Sequence, residues 1–180
     1  MFNYVNDVST LSHYIIKNFC TNFETAIDAT LGNGHDSDFL STLFKKTYAF
    51  DIQEICINNY KNKFNNNVEL ILDSHANILA YVKEPIDCAV FNLGFLPGGN
   101  KNITTNYSST VKGVKTALEL LNRNGIITVA IYSGHHEGII ERQALINFLE
   151  TLPKNLYGVM LHSVLNRYNS PPELIVIEKK

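Results

Sequence analysis

The feature that most constrains this chain is a glycine loop that follows a short apolar run, over Thr25–Asp36. The run Ala26–Ala29 suits a buried parallel strand, and Asp28 lies where such a strand emerges from the sheet. Gly32 and Gly34 would let the backbone turn tightly and lead into a helix whose N-terminal amides face the site. This order predicts a nucleotide-binding loop, although paired glycines also close ordinary strand-to-helix turns.

Size and composition limit the class of protein. With 180 residues, 45% of them hydrophobic and 18% charged, the chain fits one compact α/β domain over residues 1–180. The net charge of -2 gives no general attraction to nucleic acid, although a local patch could still bind RNA. Three distant cysteines argue against a disulfide framework or a zinc cluster. Without a signal peptide or an apolar run of the ~20 residues that a membrane helix needs, we expect a cytoplasmic protein that binds no membrane and no metal.

Strands and helices alternate along the sequence. Helical periodicity predicts helices at 8–19, 36–46, 52–64, 76–82, 108–122 and 139–152, and apolar runs predict strands at 26–29, 47–51, 68–72, 86–91, 126–132, 157–165 and 174–178. This alternation predicts a parallel sheet with ligands at the carboxyl ends of its strands. The last two strands have no helix between them, which predicts an antiparallel edge hairpin. The expected fold is a Rossmann-like α/β fold with a mostly parallel seven-stranded sheet, as in class I S-adenosylmethionine (SAM) methyltransferases.

Acidic residues end three predicted strands, at Asp28, Asp51 and Asp73. We expect them to face one nucleotide-binding crevice. Each has a structural alternative: Asp28 could accept amides of its own loop, Asp51 could cap the next helix, and Asp73 could begin an Asx turn. The NAD fingerprint requires a third glycine where this chain has Ser37, and SAM enzymes often place residues such as Asp73 and Ser74 against the adenine amine. The pattern therefore favours SAM over NAD.

The chain resembles the YtqB-type family of rRNA-methylase-like proteins, also called MnmM, in four segments that occur in the same order. These segments are Asp28–Asp36, Phe50–Gln53, Phe91–Gly99 and Tyr132–Gly138. The block Asn-Leu-Gly-aromatic-Leu-Pro and the later Gly-His segment are much more specific than the glycine loop. Leu31 and His35 are not the residues most expected in this family's loop, and Arg167 stands where Gln often follows the late Asn, which affects the substrate assignment.

The resemblance implies a SAM-dependent methyltransferase of the tRNA anticodon stem-loop. It would convert 5-aminomethyl-2-thiouridine at wobble position 34 to 5-methylaminomethyl-2-thiouridine. A homodimer is also plausible from the family. The candidate cofactor-binding residues are Asp28, Gly32, Asn33, Gly34, Asp36, Asp51, Ile52, Gln53, Asp73, Ser74, His75 and Asn92.

The candidate catalytic residues are Asn92, Leu93 and Gly94, which follow the fourth predicted strand. The Asn92 side-chain oxygen can accept an N–H bond from an amine without adding a competing charge. This resembles the Asn/Asp-Pro-Pro-Tyr motif of amino methyltransferases, except that Leu93 and Gly94 replace the two prolines. The structural alternative is that Asn92 only turns the chain away from the strand.

Further residues are candidates for binding the RNA substrate. They are Phe95, Pro97, Gly98, Tyr132, His135, His136, Asn166 and Arg167. Either histidine could transfer a proton or stack on a base, whereas adjacent residues on one loop seldom bind the same metal ion. Asn166 and Arg167 could contact phosphate and bases, or belong to a solvated loop.

Three other functions stay open at this stage. The protein could methylate another RNA, such as rRNA, or a small amine. It could also bind SAM and RNA without catalysis. A third possibility is an NAD-dependent oxidoreductase, which Ser37 disfavours.

Overall fold

The computed structural model describes residues 2, 4–63, 66–96, 98 and 104–180, and its main strands form one mixed sheet. The strands are β1 (Thr25–Asp28), β2 (Lys46–Asp51), β3 (Val68–Leu72), β4 (Ile86–Asn92), β5 (Leu121–Ile131), β6 (Tyr157–His162) and β7 (Glu173–Lys179). The helices are α1 (Val8–Phe19), α2 (His35–Leu43), α3 (Glu54–Lys61), α4 (Ile78–Tyr81), α5 (Tyr107–Leu120) and α6 (His136–Leu149).

The strand order across the sheet is β3-β2-β1-β4-β5-β7-β6. The first five of these strands are parallel, whereas β7 runs antiparallel to both β5 and β6. The connections reverse direction between β1 and β4, and open α/β sheets bind ligands in the crevice at such a point. The predicted Rossmann-like α/β sheet with an antiparallel edge hairpin is confirmed.

Apolar side chains cover both faces of the central strands. On one face, Ile27, Phe91 and Val114 belong to a core cluster that includes residues of α5 and α6. On the other face, Ile16 of α1 and Leu40 of α2 belong to a second cluster. Burying such residues stabilises the fold by roughly 1.5–3 kcal/mol for each large side chain. This packing leaves the carboxyl ends of the strands and their polar loops for a binding site.

Element boundaries differ from the prediction at two places near those loops. Helix α6 begins at His136, earlier than residue 139, because His135 Nδ1 accepts the Gly138 amide hydrogen at 2.9 Å and caps the helix. The helix predicted over 76–82 is a 3₁₀ turn, His75–Asn77, followed by the single turn of α4. The predicted end of the third helix at residue 64 lies outside the described residues.

Candidate active site

A cleft of about 890 Å³ opens at the carboxyl ends of the parallel strands, a volume that suits a nucleoside-sized ligand. Most of the candidate cofactor-binding positions line it: Gly32, Asn33, Asp36, Asp51, Ile52, Gln53, Asp73, Ser74, His75 and Asn92. The candidate catalytic residues Leu93 and Gly94 line it as well, as do Phe95, Tyr132 and His135. One cleft therefore brings together candidate residues from five separate stretches of the chain.

Several candidate residues do not line the cleft. Asp28 and Gly34 are buried behind it, and Gly98, His136, Asn166 and Arg167 are exposed outside its lining. Pro97 lies outside the described residues. Direct contact between these residues and a ligand stays a prediction.

Asp28 is fully buried and supports the glycine loop from behind. Its Oδ1 accepts the Thr30 amide hydrogen at 3.0 Å, and its Oδ2 accepts the Ser37 hydroxyl at 2.6 Å. Ser37, which replaces the third glycine of the NAD fingerprint, is thus a partner of Asp28. Burial, with a smaller contribution from the nearby Asp36 carboxylate, raises the pKa of Asp28 to about 7. These contacts match the structural alternative for Asp28, in which it accepts an amide of its own loop.

Asp51 joins the glycine loop to the beginning of α3. Its Oδ2 accepts the Gly32 amide hydrogen at 2.9 Å, and its Oδ1 accepts that of Gln53 at 2.8 Å. Each carboxylate oxygen has a further lone pair, so Asp51 can still accept hydrogen bonds from ligand hydroxyls. The loop itself requires glycine at position 34, where φ is +82° and a Cβ would lie 2.3 Å from the Tyr60 ring.

Asp73, just beyond β3, is held by three donors. It accepts hydrogen bonds from the Asn77 side chain at 2.9 Å, the Ser74 amide at 2.7 Å and the Tyr81 hydroxyl at 2.9 Å. These bonds, with that from Asn77 the largest, lower the pKa of Asp73. Asp73 therefore presents an ionised and oriented carboxylate to the cleft.

His75 is a buried residue of the cleft lining. Its Nδ1 lies 3.0 Å from the Ala29 carbonyl oxygen, which can only accept, so Nδ1 carries the proton. Burial lowers the pKa of His75, which favours the neutral ring. In the described part of the chain Nε2 is buried without a hydrogen-bond partner, so it is an unused acceptor beside the cleft.

Asn92 is fixed at the end of β4 through its backbone and its side chain. Its amide hydrogen is donated to Thr30 Oγ1 at 2.8 Å, and its Nδ2 donates to Asp36 Oδ2 at 3.1 Å and to Ser9 Oγ at 3.3 Å. An ionised carboxylate only accepts, so the Asn92 nitrogen faces Asp36. Within the described residues, Oδ1 has no protein partner and is available to a ligand. No sequence motif marks Thr30 beyond its place in the glycine loop.

Glu141 of α6 supports the cleft near Gly94, and no sequence motif marked it. Its Oε1 accepts the Thr110 hydroxyl at 2.5 Å and its Oε2 accepts that of Thr105 at 2.9 Å. Thr105 Oγ1 in turn accepts the Gly94 amide hydrogen at 2.9 Å. Burial raises the pKa of Glu141. Hydrogen bonds through Thr105 therefore link the turn at Gly94 to α6.

His135 presents a hydrogen-bond donor at the same side. Its Nδ1 accepts the Gly138 amide hydrogen, so Nε2 carries the proton. Nε2 is buried and has no partner among the residues that the structure describes. The ring centroid lies 5.9 Å from that of Phe95, and Tyr132 lines the cleft nearby. This aromatic side of the cleft suits a base that offers an acceptor atom.

The charge of the cleft is negative. Its described lining includes Asp36, Asp51 and Asp73 but no Lys or Arg. Such a lining favours a cationic ligand and disfavours the pyrophosphate of NAD. Within the same described residues, no group of three His, Cys, Asp or Glu side chains is placed to bind a metal ion, and no helix has the length and apolar character to cross a membrane.

Known proteins resemble the chain over nearly its whole length. The family described as "Putative rRNA methylase" matches residues 47–178. The chain is 28% identical over 188 residues to an Arabidopsis thaliana protein named tRNA (mnm(5)s(2)U34)-methyltransferase, chloroplastic, covering 94% of this chain and 69% of that protein. It is 40% identical to SMU.1697c, a "putative methyltransferase" from Streptococcus mutans solved with SAH, with a TM-score of 0.90 and coverage of 98% and 99%. A "putative rRNA-methylase" from Clostridium thermocellum is 36% identical, with a TM-score of 0.93 and coverage of 98% and 99%.

These relatives establish the enzyme class and the cofactor. The cationic sulfonium of SAM fits the acidic lining of the cleft. The protein is a SAM-dependent methyltransferase with a class I fold. The chain belongs to the YtqB/MnmM-type family described as "Putative rRNA methylase".

Proposed function

We propose that the protein is an N-methyltransferase that converts 5-aminomethyl-2-thiouridine at tRNA wobble position 34 to 5-methylaminomethyl-2-thiouridine. The observation that carries this proposal is the Asn92 amide, whose oxygen is unused at the cleft while Asp36 holds its nitrogen. An amine substrate needs such an acceptor. The name of the Arabidopsis relative supports the choice of tRNA and of this nucleoside.

We assign the cofactor end of the cleft to Asp51, Asp73 and His75. The carboxylate of Asp51 would accept ribose hydroxyls, and Asp73 with Ser74 and His75 would surround the adenine. Gly32, Asn33, Ile52 and Gln53 would complete this pocket, which Asp28 and Gly34 shape from behind. When bound, SAM supplies a methyl group that its sulfonium has already activated for attack by a neutral amine.

Asn92 would orient the substrate amine. Its Oδ1 accepts one N–H of the neutral amine, which turns the nitrogen lone pair towards the methyl group. Leu93 and Gly94 place the backbone beside this amide. The acidic cleft attracts the protonated amine, and a carboxylate or a water chain must take its proton before reaction. His135 Nε2 already carries a proton, so in this tautomer it donates to the base and does not accept a proton.

We propose that the anticodon loop contacts the opposite rim of the cleft. Phe95, Tyr132 and His135 would receive the wobble base, which would be turned out of its stack. Residues 166–168 belong to an exposed loop whose later residues Ser170 and Pro172 line the cleft, so Asn166 and Arg167 lie near this rim in the chain. Pro97, Gly98 and His136 would contribute to the same RNA contact.

We further propose that residues 1–180 act as one cytoplasmic domain that associates as a homodimer. The three cysteines are buried and unpaired, which suits a reducing compartment. The edge strand β6 exposes Val159, Met160 and Leu161 in succession, and an exposed apolar edge suits association with a second copy. Sedimentation of wild type and of Met160→Lys would test this association: a wild-type monomer contradicts the homodimer, and an unchanged dimer in the variant contradicts the role of β6.

The decisive experiment is methyl transfer from labelled SAM to tRNA that carries the 5-aminomethyl-2-thio base, followed by nucleoside mass spectrometry. We expect a product heavier by one methyl group at that base. Asn92→Ala should lower turnover while calorimetric SAM affinity is retained. Labelling of rRNA or of a free amine, with none on tRNA, would instead support those substrates. SAM binding without any methyl transfer would support a non-catalytic protein.

A further inference from the structure

We propose that His13 and Asp36 are positioning residues that fix the orientation of the Asn92 amide. The inference deepens the proposed function, since its kinetic consequence assumes that Asn92 binds the substrate amine. His13 lies on α1, Asp36 in the first turn of α2, and Asn92 at the end of β4. The three residues therefore join three separate elements at one point beside the cleft.

The hydrogen bonds form a continuous chain from the protein surface to the cleft. His13 Nε2 lies 2.6 Å from Asp36 Oδ1, and Asn92 Nδ2 lies 3.1 Å from Asp36 Oδ2. Asp36 is only 5% exposed, whereas the His13 side chain retains 24% exposure. The His13 ring also stacks on Phe39, with centroids 3.9 Å apart and planes 7° apart. The stack fixes the plane of the imidazole, and hence the direction of its N–H.

The charge of Asp36 determines which end of the Asn92 amide faces it. An ionised carboxylate has no proton to donate, so it attracts Nδ2 and repels Oδ1. A flipped amide would place its oxygen against Asp36 and its NH₂ group towards the cleft. That NH₂ group would then meet the N–H bonds of the substrate amine. Only the orientation set by Asp36 leaves an acceptor for the substrate.

His13 is needed because a buried carboxylate is unfavourable unless its oxygens are paired. With His13 bound to Oδ1 and Asn92 bound to Oδ2, both oxygens of Asp36 are paired and its carboxylate plane is fixed. Helix α1 contributes a second contact, since Ser9 Oγ lies 3.3 Å from Asn92 Nδ2 and accepts its other proton. Loss of the His13 donor would leave Asp36 Oδ1 buried without a partner, so the carboxylate could rotate away from Asn92 Nδ2 and the amide could turn over.

The test uses two variants that separate the hydrogen bond from the ring. His13→Phe keeps a ring against Phe39 but removes the donor, and His13→Gln keeps a donor but removes the ring. We expect kcat for tRNA methylation to fall about tenfold in His13→Phe, with KM for SAM and for tRNA within about twofold of wild type. His13→Gln should recover most of this loss. Equal kcat in His13→Phe and wild type, or an equal loss in both variants, would overturn the proposal.

Asp36→Asn changes the carboxylate that accepts the hydrogen bonds from His13 and Asn92. Asp38→Asn is the control for this variant, because it makes the same substitution on the same helix. Asp38 lies in an exposed ion pair with Lys63, with its Oδ2 2.6 Å from Nζ. Asp36→Asn should lower kcat about as much as His13→Phe, and Asp38→Asn should leave it unchanged. Thermal unfolding of each variant shows whether a loss of kcat results from misfolding. If it does, the comparison of kcat between His13→Gln and His13→Phe decides the test.

A readout without substrate separates this inference from the proposed function. The side-chain amide signals of Asn92, assigned in ¹⁵N-labelled protein by their loss in Asn92→Ala, report its hydrogen bond to Asp36. We expect them to shift in His13→Phe and Asp36→Asn and to return towards wild type in His13→Gln. Unchanged signals would overturn the inference even if kcat falls. If the wild type methylates no tRNA, the proposed function fails, and the amide signals still decide whether His13 and Asp36 orient Asn92.

Discussion

Replacing Asp28 with asparagine should stabilise the ligand-free protein at neutral pH, although it removes a buried and fully hydrogen-bonded carboxylate. Asparagine has nearly the same shape as aspartate. Its Oδ1 can accept the Thr30 amide hydrogen, and its Nδ2 can donate to Ser37 Oγ because a hydroxyl can also accept. Both native hydrogen bonds therefore have a replacement, and the variant no longer has to bury a charge.

The size of the effect follows from the pKa of Asp28, which burial raises from 3.8 to about 7. A raised pKa means that the folded state holds this proton more tightly than the unfolded state. The stabilisation from the protonated form is complete below pH about 4 and is lost as the pH rises through about 7. Each tenfold change in proton affinity is worth about 1.4 kcal/mol, so the loss amounts to at most about 4 kcal/mol. Asp28→Asn does not titrate and avoids this loss.

Urea unfolding of wild type and Asp28→Asn at several values between pH 5 and 8 measures the difference directly. The free energy of unfolding of the variant minus that of wild type should increase with pH and level off above about pH 7. A difference that stays constant over this range would refute the reasoning.

Asp87→Asn is a control with the opposite sign. The partners of Asp87 are the Glu24 and Thr25 amides and the Asn122 side-chain nitrogen. The two backbone amides cannot become acceptors, whereas the Asn122 amide can offer its oxygen only by turning over. Asparagine at this position would replace three hydrogen bonds to a carboxylate with weaker neutral ones and should destabilise the protein.

Three other substitutions test residues in and around the cleft. Asp51→Ala removes the acceptor of two loop amides and of the proposed ribose hydroxyls, so the Kd for SAM should rise about tenfold or more by calorimetry. An unchanged Kd would contradict this assignment. Glu141→Ala should lower the free energy of unfolding by about 1–3 kcal/mol and raise KM for tRNA by loosening Gly94, with SAM affinity retained. Tyr168, 92% exposed, can be replaced by alanine without loss of stability, but KM for tRNA should rise several-fold if it stacks on a base. Equal KM values would exclude that contact.

The sequence predicted the sheet because its evidence is local. Apolar runs of four to seven residues mark β1 to β4, and the missing helix before β7 marks the edge hairpin. The same logic found Asp51 and Asp73 at the ends of strands, and both line the cleft. The strand-end pattern did not show that Asp28, unlike Asp51 and Asp73, lies behind the cleft. Whether an acid at a strand end faces the cleft or the loop behind it depends on the register with neighbouring strands, which no single strand reveals.

Contacts between elements far apart in the sequence could not be predicted from sequence patterns. Glu141 and Thr105 are 36 residues apart, and His13 and Asp36 are 23 apart. In sequence, an acid inside a helix or a single histidine on its face is normally solvated. Their roles follow from burial and from the partners that tertiary packing brings to them. Sequence patterns also did not identify Thr30, whose hydroxyl oxygen accepts the backbone N–H of Asn92.

Three buried acids share one physical role in this site. Asp28 holds the glycine loop, Asp36 holds the Asn92 amide, and Glu141 holds the turn at Gly94. Each acid accepts hydrogen bonds from protein donors beside the cleft and so orients neighbouring groups that are themselves neutral. Neutral groups such as the Asn92 oxygen and the His135 N–H can then meet an uncharged amine and a base without competing for the proton. This division requires each acid to remain buried and paired, and Asp36, which lines the cleft, adds negative charge there although the proposed methyl acceptor reacts in its neutral form.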